Sequence, residues 1–265
     1  MNGFNDICIT QVASTVLKLM GLAPSEHFSP PIPDVISAAK KRFQSPCDRV
    51  FMYNPDAVAQ WVYELNRSDF AALEASADLK IPMLSVVPPV TPACFGSMYS
   101  GLLPAEHGIQ RYEKPVLKVE TIFDLLPKAG KKAAIVSTAG DSISKIFLGR
   151  AVDYFIYKTK EECNRKALSL IAADEHDLIV LYNGDFDHYM HRVSPEGERA
   201  KRALRENIAT FGQISDAINH HRKNHRTALA FAPDHGCHNI YKFLGAHGQN
   251  IPSDMNICHF WEFLG

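Results

Sequence analysis

The run Leu178-Ile179-Val180-Leu181-Tyr182 is apolar at every position. A strand with one wet face would alternate, so this one is buried on both faces and needs a helical layer above and below its sheet. Around it, strand-like and helix-like segments take turns. Residues 48–53, 83–87, 133–136, 152–157 and 227–232 read as further strands, and 227–232 is the last that the pattern marks. Helices are expected over 57–65, 91–99, 119–126 and 160–172. A long one begins at Pro195, where Leu204, Ile208, Phe211, Ile214 and Ile218 recur every three or four residues. Thr91-Pro92 has the form of an N-cap followed by proline at the first helical position. Alternation without repeats predicts an α/β fold in three layers, with a mostly parallel central sheet and helices on both faces.

Residues 48–265 are expected to form one domain, with 1–47 a helical segment packed on its core. In that segment 9–22 reads as an amphipathic helix and Ser29-Pro30-Pro31-Ile32-Pro33 as a rigid turn. It is either a cover over the sheet or an assembly element, which leaves a homo-oligomer open. A net charge of -1 gives no electrostatic case for a nucleic-acid polymer as partner. The local cluster Arg222-Lys223-Asn224-His225-Arg226 is read as a solvated helix end. No apolar run reaches transmembrane length. Asp6 and the missing basic n-region argue against a signal peptide. Six cysteines without a CxxC fit reduced thiols in a cytoplasmic protein.

Asp56, Thr91, Asp187 and Asp234 all fall just past the carboxyl ends of expected strands, where open α/β sheets place their active crevice. Asp187 and His191, four apart, share one face if their segment is helical. Asp234-His235 follows a buried strand directly, and His247 sits in Gly245-Ala246-His247-Gly248. Together these side chains form the ligand set of a two-metal hydrolase, with Thr91 as a hydroxyl nucleophile. Each also has a plainer reading. Thr91 would serve as a helix cap, Asp56 as an Asx-turn, and Asp187-x-x-x-His191 as a solvated turn beside which Asp185 and His188 compete as ligands. His220, His221, His225 and His238 read as surface or supporting residues.

In this light the chain resembles the alkaline phosphatase superfamily, in its nucleotide pyrophosphatase/phosphodiesterase branch. The resemblance rests on the stretch Thr91 to Gly101, Leu102 to Ile109 with His107-Gly108, Asp187-His-Tyr-Met-His191 with Pro195, Pro233-Asp-His-Gly236, and Gly245-Ala-His-Gly248, in the family's order. The tail 257–265 is similar to the closing segment of such domains. The resemblance implies one metal on Asp187, His191 and His247, and a second on Asp56, Asp234 and His235 with Thr91 touching it. It implies two divalent ions, zinc before manganese or iron, and attack by Thr91 through a phosphothreonine. The substrate would be a small phosphorylated molecule such as a nucleotide, and no membrane is involved.

The chain departs from the family at two places. The family's Asp-Gly is Asp56-Ala57 here, so Pro55 is expected to supply the bend. The family's phosphoryl-binding asparagine is Tyr112, whose phenol would give one hydrogen bond to substrate. Cys94 lacks the offsets of a sulfatase motif, and no insertion of mutase size separates Thr91 from Asp187. Arg111, His220 and Arg226 are candidates to meet a second phosphate. A phosphomonoesterase or phosphonate hydrolase on the same scaffold is the nearer alternative, and a catalytically silent metal-containing binding protein the more distant one.

Overall fold

The computed structural model describes residues 3–221, 224–241 and 243–265; Arg222 and Lys223 of the basic cluster lie outside them. The strands are β1 (Ile7–Cys8), β2 (Arg49–Pro55), β3 (Leu79–Leu84), β4 (Ala133–Thr138), β5 (Asp153–Tyr157), β6 (Leu178–Asn183), β7 (Thr227–Phe231), β8 (His238–Ile240), β9 (Leu244–Ala246) and β10 (Asn256–Leu264). Eight of them form one sheet in the order β1-β3-β10-β7-β2-β6-β4-β5, and β8 and β9 pair as a hairpin. All pairings in the sheet are parallel except those of β10, which runs antiparallel to both β3 and β7. Its two neighbours therefore point the same way, and the seven parallel strands present their carboxyl ends along one edge.

Two-residue periodicity divides the strands between two cores. Val50 and Met52 of β2, with Leu178, Val180 and Tyr182 of β6, face one side. Phe51, Tyr53, Ile179 and Leu181 face the other. Each such side chain taken fully from water contributes about 1.5–3 kcal/mol. The first face is covered by α1 (Gln11–Leu19), α2 (Pro33–Phe43), α5 (Thr91–Ser100), α7 (Ile122–Lys128) and α8 (Ser142–Ile146). On the second lie α3 (Gln60–Leu65), α4 (Ala71–Ser76), α9 (Lys160–Ala173), α10 (Asp185–Val193) and α11 (Glu198–His221). Two short helices, α6 (Pro104–His107) and α12 (Pro252–Met255), complete the set. The expected mostly parallel sheet with helices on both faces is what the chain forms.

Several boundaries moved. α3 starts at Gln60 rather than 57, because Ala57 has a left-handed backbone (φ 62°) that no helix can include. Pro195 and Gly197 precede α11, which begins at Glu198. The strand expected over 83–87 is β3, four residues earlier at its start. β10 carries no mark in the pattern, since His259 and Glu262 interrupt its apolar run; both are nonetheless buried.

Glu262 shows the cost of that placement. Its Oε1 accepts from Ser215 Oγ (2.9 Å), while Oε2 is buried without a partner. Burial pushes the carboxyl up to about 7. A carboxyl raised in the folded state favours folding most below its unfolded value and loses that advantage as pH rises through about 7. Glu262→Gln, which removes the charge, is expected to raise stability above pH 7 by on the order of 2 kcal/mol and to do much less near pH 5. Denaturant midpoints at the two pH values check this, and an equal effect at both would contradict it.

Candidate functional site

β2 and β7 are adjacent and parallel, with Tyr53 opposite Phe231. Three residues beyond that pair, the two chains deliver Asp56 and Asp234 side by side. Ala57, the residue after Asp56, turns the chain in the left-handed region, and its N–H donates to Asp234 Oδ1 (3.3 Å). The bend expected of Pro55 is therefore made by Ala57, because Pro55 still pairs with Asn183 as the last residue of β2. Asp56 N–H donates to the Asn183 carbonyl (2.9 Å), which fixes the turn against β6. β6 leads into α10, whose i, i+4 spacing sets Asp187 and His191 on one face. The β8–β9 hairpin connects His235 to His247. Gly245 lets it lie flat on α10, since a Cβ there would stand 2.9 Å from the Met190 carbonyl oxygen.

Asp187, His191 and His247 form one group of potential metal ligands, and Asp56, Asp234 and His235 a second. The His235 and His247 rings lie 4.2 Å apart between centroids, so the groups are neighbours. Asp185, the competing carboxylate, is instead engaged by Lys160 (2.5 Å). The three histidines are held alike. Nδ1 of His191 faces the Gly245 carbonyl (3.0 Å), that of His235 the Gly236 carbonyl (2.9 Å) and that of His247 the Pro89 carbonyl (3.0 Å). A carbonyl can only accept, so each Nδ1 carries a proton and each Nε2 is turned inward. Burial keeps the His235 ring neutral, while Asp187 beside the Nε2 atoms of His191 and His247 shifts both toward the protonated form. Gly236 reaches that position because it has no Cβ, which would lie 2.2 Å from the Ser253 carbonyl oxygen.

The inward-facing atoms lack partners of opposite character. His235 Nε2 stands 3.4 Å from Asp56 Oδ1 and 3.5 Å from Asp234 Oδ2. Both oxygens, and Asp187 Oδ1, are buried without a hydrogen bond. Burial lowers His235 to about 3, so its Nε2 has no proton to offer at neutral pH. Burial, with the charges of Asp234 and Asp187, holds Asp56 well above the carboxylate range, and burial carries Asp234 to about 7. Asp187 is desolvated too, but His191 and His247, whose Nε2 atoms each stand 3.3 Å from its Oδ1, outweigh that and hold it low. Lone pairs facing orphaned carboxylate oxygens are mutually repulsive unless a cation stands between them. The donor set fits divalent metal in both groups.

Thr91 lies beside the second group, with Oγ1 3.3 Å from His235 Nε2 and 3.4 Å from Asp56 Oδ2. It is the first residue of α5 rather than its cap; Val90 holds the cap position, and no side chain caps the helix. A cleft of about 380 Å³ opens over Thr91, Asp56, Asp187 and His191 and extends past Tyr112 and Tyr182. Tyr112 stands at its rim, 61% exposed. A larger, more apolar hollow of about 520 Å³ between α1 and α2 brings together no acid or histidine. None of the candidates for a second phosphate lines the cleft. Arg226 is paired with Asp48 (2.6 Å), Arg111 with Glu113 (2.9 Å), and His220 is exposed near the end of α11.

Two contributing residues have no role in the sequence reading: Tyr182 reads there only as part of a strand and His107 only as part of a motif. Tyr182 ends the apolar run that marks β6, and its hydroxyl donates to Asp56 Oδ2. That bond leaves Oδ1 as the oxygen turned toward His235. His107 is buried and kept neutral by desolvation; its Nδ1 accepts from Ile109 N–H (3.3 Å) and its Nε2 meets Ser97 Oγ (3.0 Å). It ties the loop carrying Tyr112 to α5. The parity of Tyr182 within β6 was the one available sign, since it puts the phenol on the same face as α5.

The model of the type I phosphodiesterase / nucleotide pyrophosphatase family matches residues 55–250. No curated protein matches the chain. Among solved structures, murine ectonucleotide pyrophosphatase/phosphodiesterase 5, an inactive threonine-to-alanine variant in complex with AMP, is similar with a TM-score of 0.59 at 15% identity, over 74% of this chain and 59% of that one. The human protein of the same name gives a TM-score of 0.58 at 15% identity, over 71% and 57%. Phosphonoacetate hydrolase from Sinorhizobium meliloti 1021, with phosphonoformate, gives 0.56 at 17% identity, over 72% and 57%. This chain thus spans less than two thirds of the length of these structures. With the family model covering most of its length, the chain belongs to the type I phosphodiesterase / nucleotide pyrophosphatase family, a branch of the alkaline phosphatase superfamily.

Proposed function

We propose that the protein hydrolyses a phosphoester or phosphoanhydride of a small molecule, with Thr91 as the nucleophile. The observation that carries this reading is the position of Thr91 Oγ1, uncommitted to capping and within 3.4 Å of two members of one ligand group. Asp187, His191 and His247 would hold one divalent ion, and Asp56, Asp234 and His235 the other. When bound, the ions supply positive charge that lowers the pKa of a hydroxyl and offsets the charge of phosphoryl oxygens. Three histidines among six ligands favour zinc, with manganese or iron as alternatives.

Thr91 Oγ1 forms a bond to phosphorus as the bond from phosphorus to the leaving oxygen breaks. Water then cleaves the phosphothreonine and restores the hydroxyl. The positive end of the α5 dipole lies where the phosphoryl group would sit. No side chain need act as a dedicated base, because ions held by the two ligand groups would offset the charge on the attacking and leaving oxygens. In the murine relative an inactive form carries a threonine-to-alanine change, which agrees with a threonine-dependent reaction. A diester or pyrophosphate is the first reading of the substrate, following the family. The exposed Tyr112, where the family's diesterases carry asparagine, favours a monoester as the second.

Protein purified without chelator is expected to hold close to two divalent ions per chain by elemental analysis, as two complete ligand groups imply. Chelation should lower the melting temperature as well as stop turnover, since buried carboxylates then lose their counter-charge. A chelated protein with unchanged melting and full activity would sink the metal reading.

Thr91→Ala separates cap from nucleophile. With no capping bond to lose, the variant should change stability by less than about 1 kcal/mol. Turnover should fall by orders of magnitude with metal content intact. Retention of more than roughly a tenth of the wild-type rate would remove the threonine mechanism. The rate ratio between a bis-aryl phosphate and an aryl monophosphate then decides the ester class, and metal-loaded protein inactive on both would favour the silent binding reading.

A further inference from the structure

The cleft continues beyond the ligand groups to the turn after β4. That turn runs through Thr138, Gly140 and Asp141 into α8, and it lines the same cavity as Thr91. β4 pairs with β6, so the turn stands on the Tyr182 side of the site. Asp141 occupies the N-cap position of α8, yet its side chain makes no capping bond. Its Oδ2 accepts from Ser137 Oγ (3.3 Å) and Thr138 Oγ1. Burial pushes the carboxyl up, outweighing those bonds, the Thr138 backbone N–H and the Lys114 charge, which all favour the ionised form. Lys114, from the loop that carries Tyr112, donates to the Gly140 carbonyl (2.9 Å) and has two ammonium protons left. It too lines the cleft.

We infer that this end of the cleft recognises a neutral, hydroxyl-rich leaving group, so that the substrate is the phosphoester of a polyol or sugar. The inference rests on the phosphoester reading and narrows it. Each hydroxyl of a vicinal diol both gives and accepts a hydrogen bond, which suits a carboxyl with acceptor capacity left beside a lysine with protons to spare. The charges of Asp141 and Lys114 offset each other, and Lys160 at the next part of the wall is held between Asp185 and Glu206. A second phosphate would meet Asp141, and a cationic amine would meet Lys114. In the reaction Thr91 Oγ1 gives up its proton to solvent and bonds to phosphorus as the bond from phosphorus to the polyol oxygen breaks, and that oxygen takes a proton from solvent to leave as the free alcohol.

The test uses metal-loaded Thr91→Ala, which retains the phosphoryl pocket without turnover, and calorimetric binding of glycerol 1-phosphate, ethanolamine phosphate and methyl phosphate. Glycerol 1-phosphate is expected to bind about tenfold or more tighter than methyl phosphate, the worth of a charged hydrogen bond. Adding Asp141→Asn or Lys114→Met should erase most of that preference while methyl phosphate binding changes less. Equal binding of glycerol and methyl phosphates, tighter binding of ethanolamine phosphate, equal losses on all three in the double variants, or no binding of any would each overturn the inference. Failure of the reaction itself registers elsewhere, as wild-type protein without turnover of aryl esters, and leaves the binding series to decide the ligand.

Discussion

Three carboxylates, Asp56, Asp187 and Asp234, converge where water has little access, and the carboxyl-end edge of the sheet is organised around their charge. Buried charge of one sign is among the most costly arrangements a fold can contain. Asp56 and Asp234 answer it by moving toward the protonated form, and Asp187 by drawing on two histidines. Neither response satisfies the orphaned oxygens or the inward lone pair of His235. What remains is a demand for cations built into the backbone. It acts through strand register, the turn at Ala57 and three carbonyls that fix three tautomers.

That backbone control explains why the site was readable in part. Ligand type and strand-end placement singled out Asp56, Asp187, His191, Asp234, His235 and His247, and the structure brings all six together with Thr91. Parallel neighbours carry equivalent positions to the same edge, so residues just past strand ends meet whatever their distance in sequence. Tyr182 escaped because a phenol at the end of an apolar run looks like core, and it does face the core side on which α5 packs. The competition between Asp185 and Asp187 could not be settled by spacing. In the structure Lys160, which arrives from α9, engages Asp185, and Asp187 is the carboxylate that stands with the two histidines.

The fold was legible to a similar depth. Continuous apolar runs announced β6 and β7, and the alternation announced the layers. β10 was hidden because pattern reading looks for uniform faces, and His259 and Glu262 break them. His259 is satisfied by the Pro233 carbonyl (2.8 Å), a partner that exists only after the strand is in place. Ala57 was also hidden: no rule of composition expects alanine in the left-handed region, and only its bond to Asp234 shows what holds it there.

β10 has a consequence for the order of assembly. It is the last strand in the chain and yet lies inside the sheet, between β3 and β7. β3 leads to Thr91 and β7 leads to Asp234 and His235, so the proposed nucleophile and its neighbouring ligands occupy strands that do not touch each other. They are brought into register by a strand that follows both in sequence. The other segments that carry the ligand groups can find their parallel neighbours earlier, and the pairing of β10 with β3 is as non-local as that of β2 with β7. A chain emerging in order would hold β3 apart from β7 until β10 entered the sheet between them, with the contacts of α5 on β2 and β6 left to place Thr91.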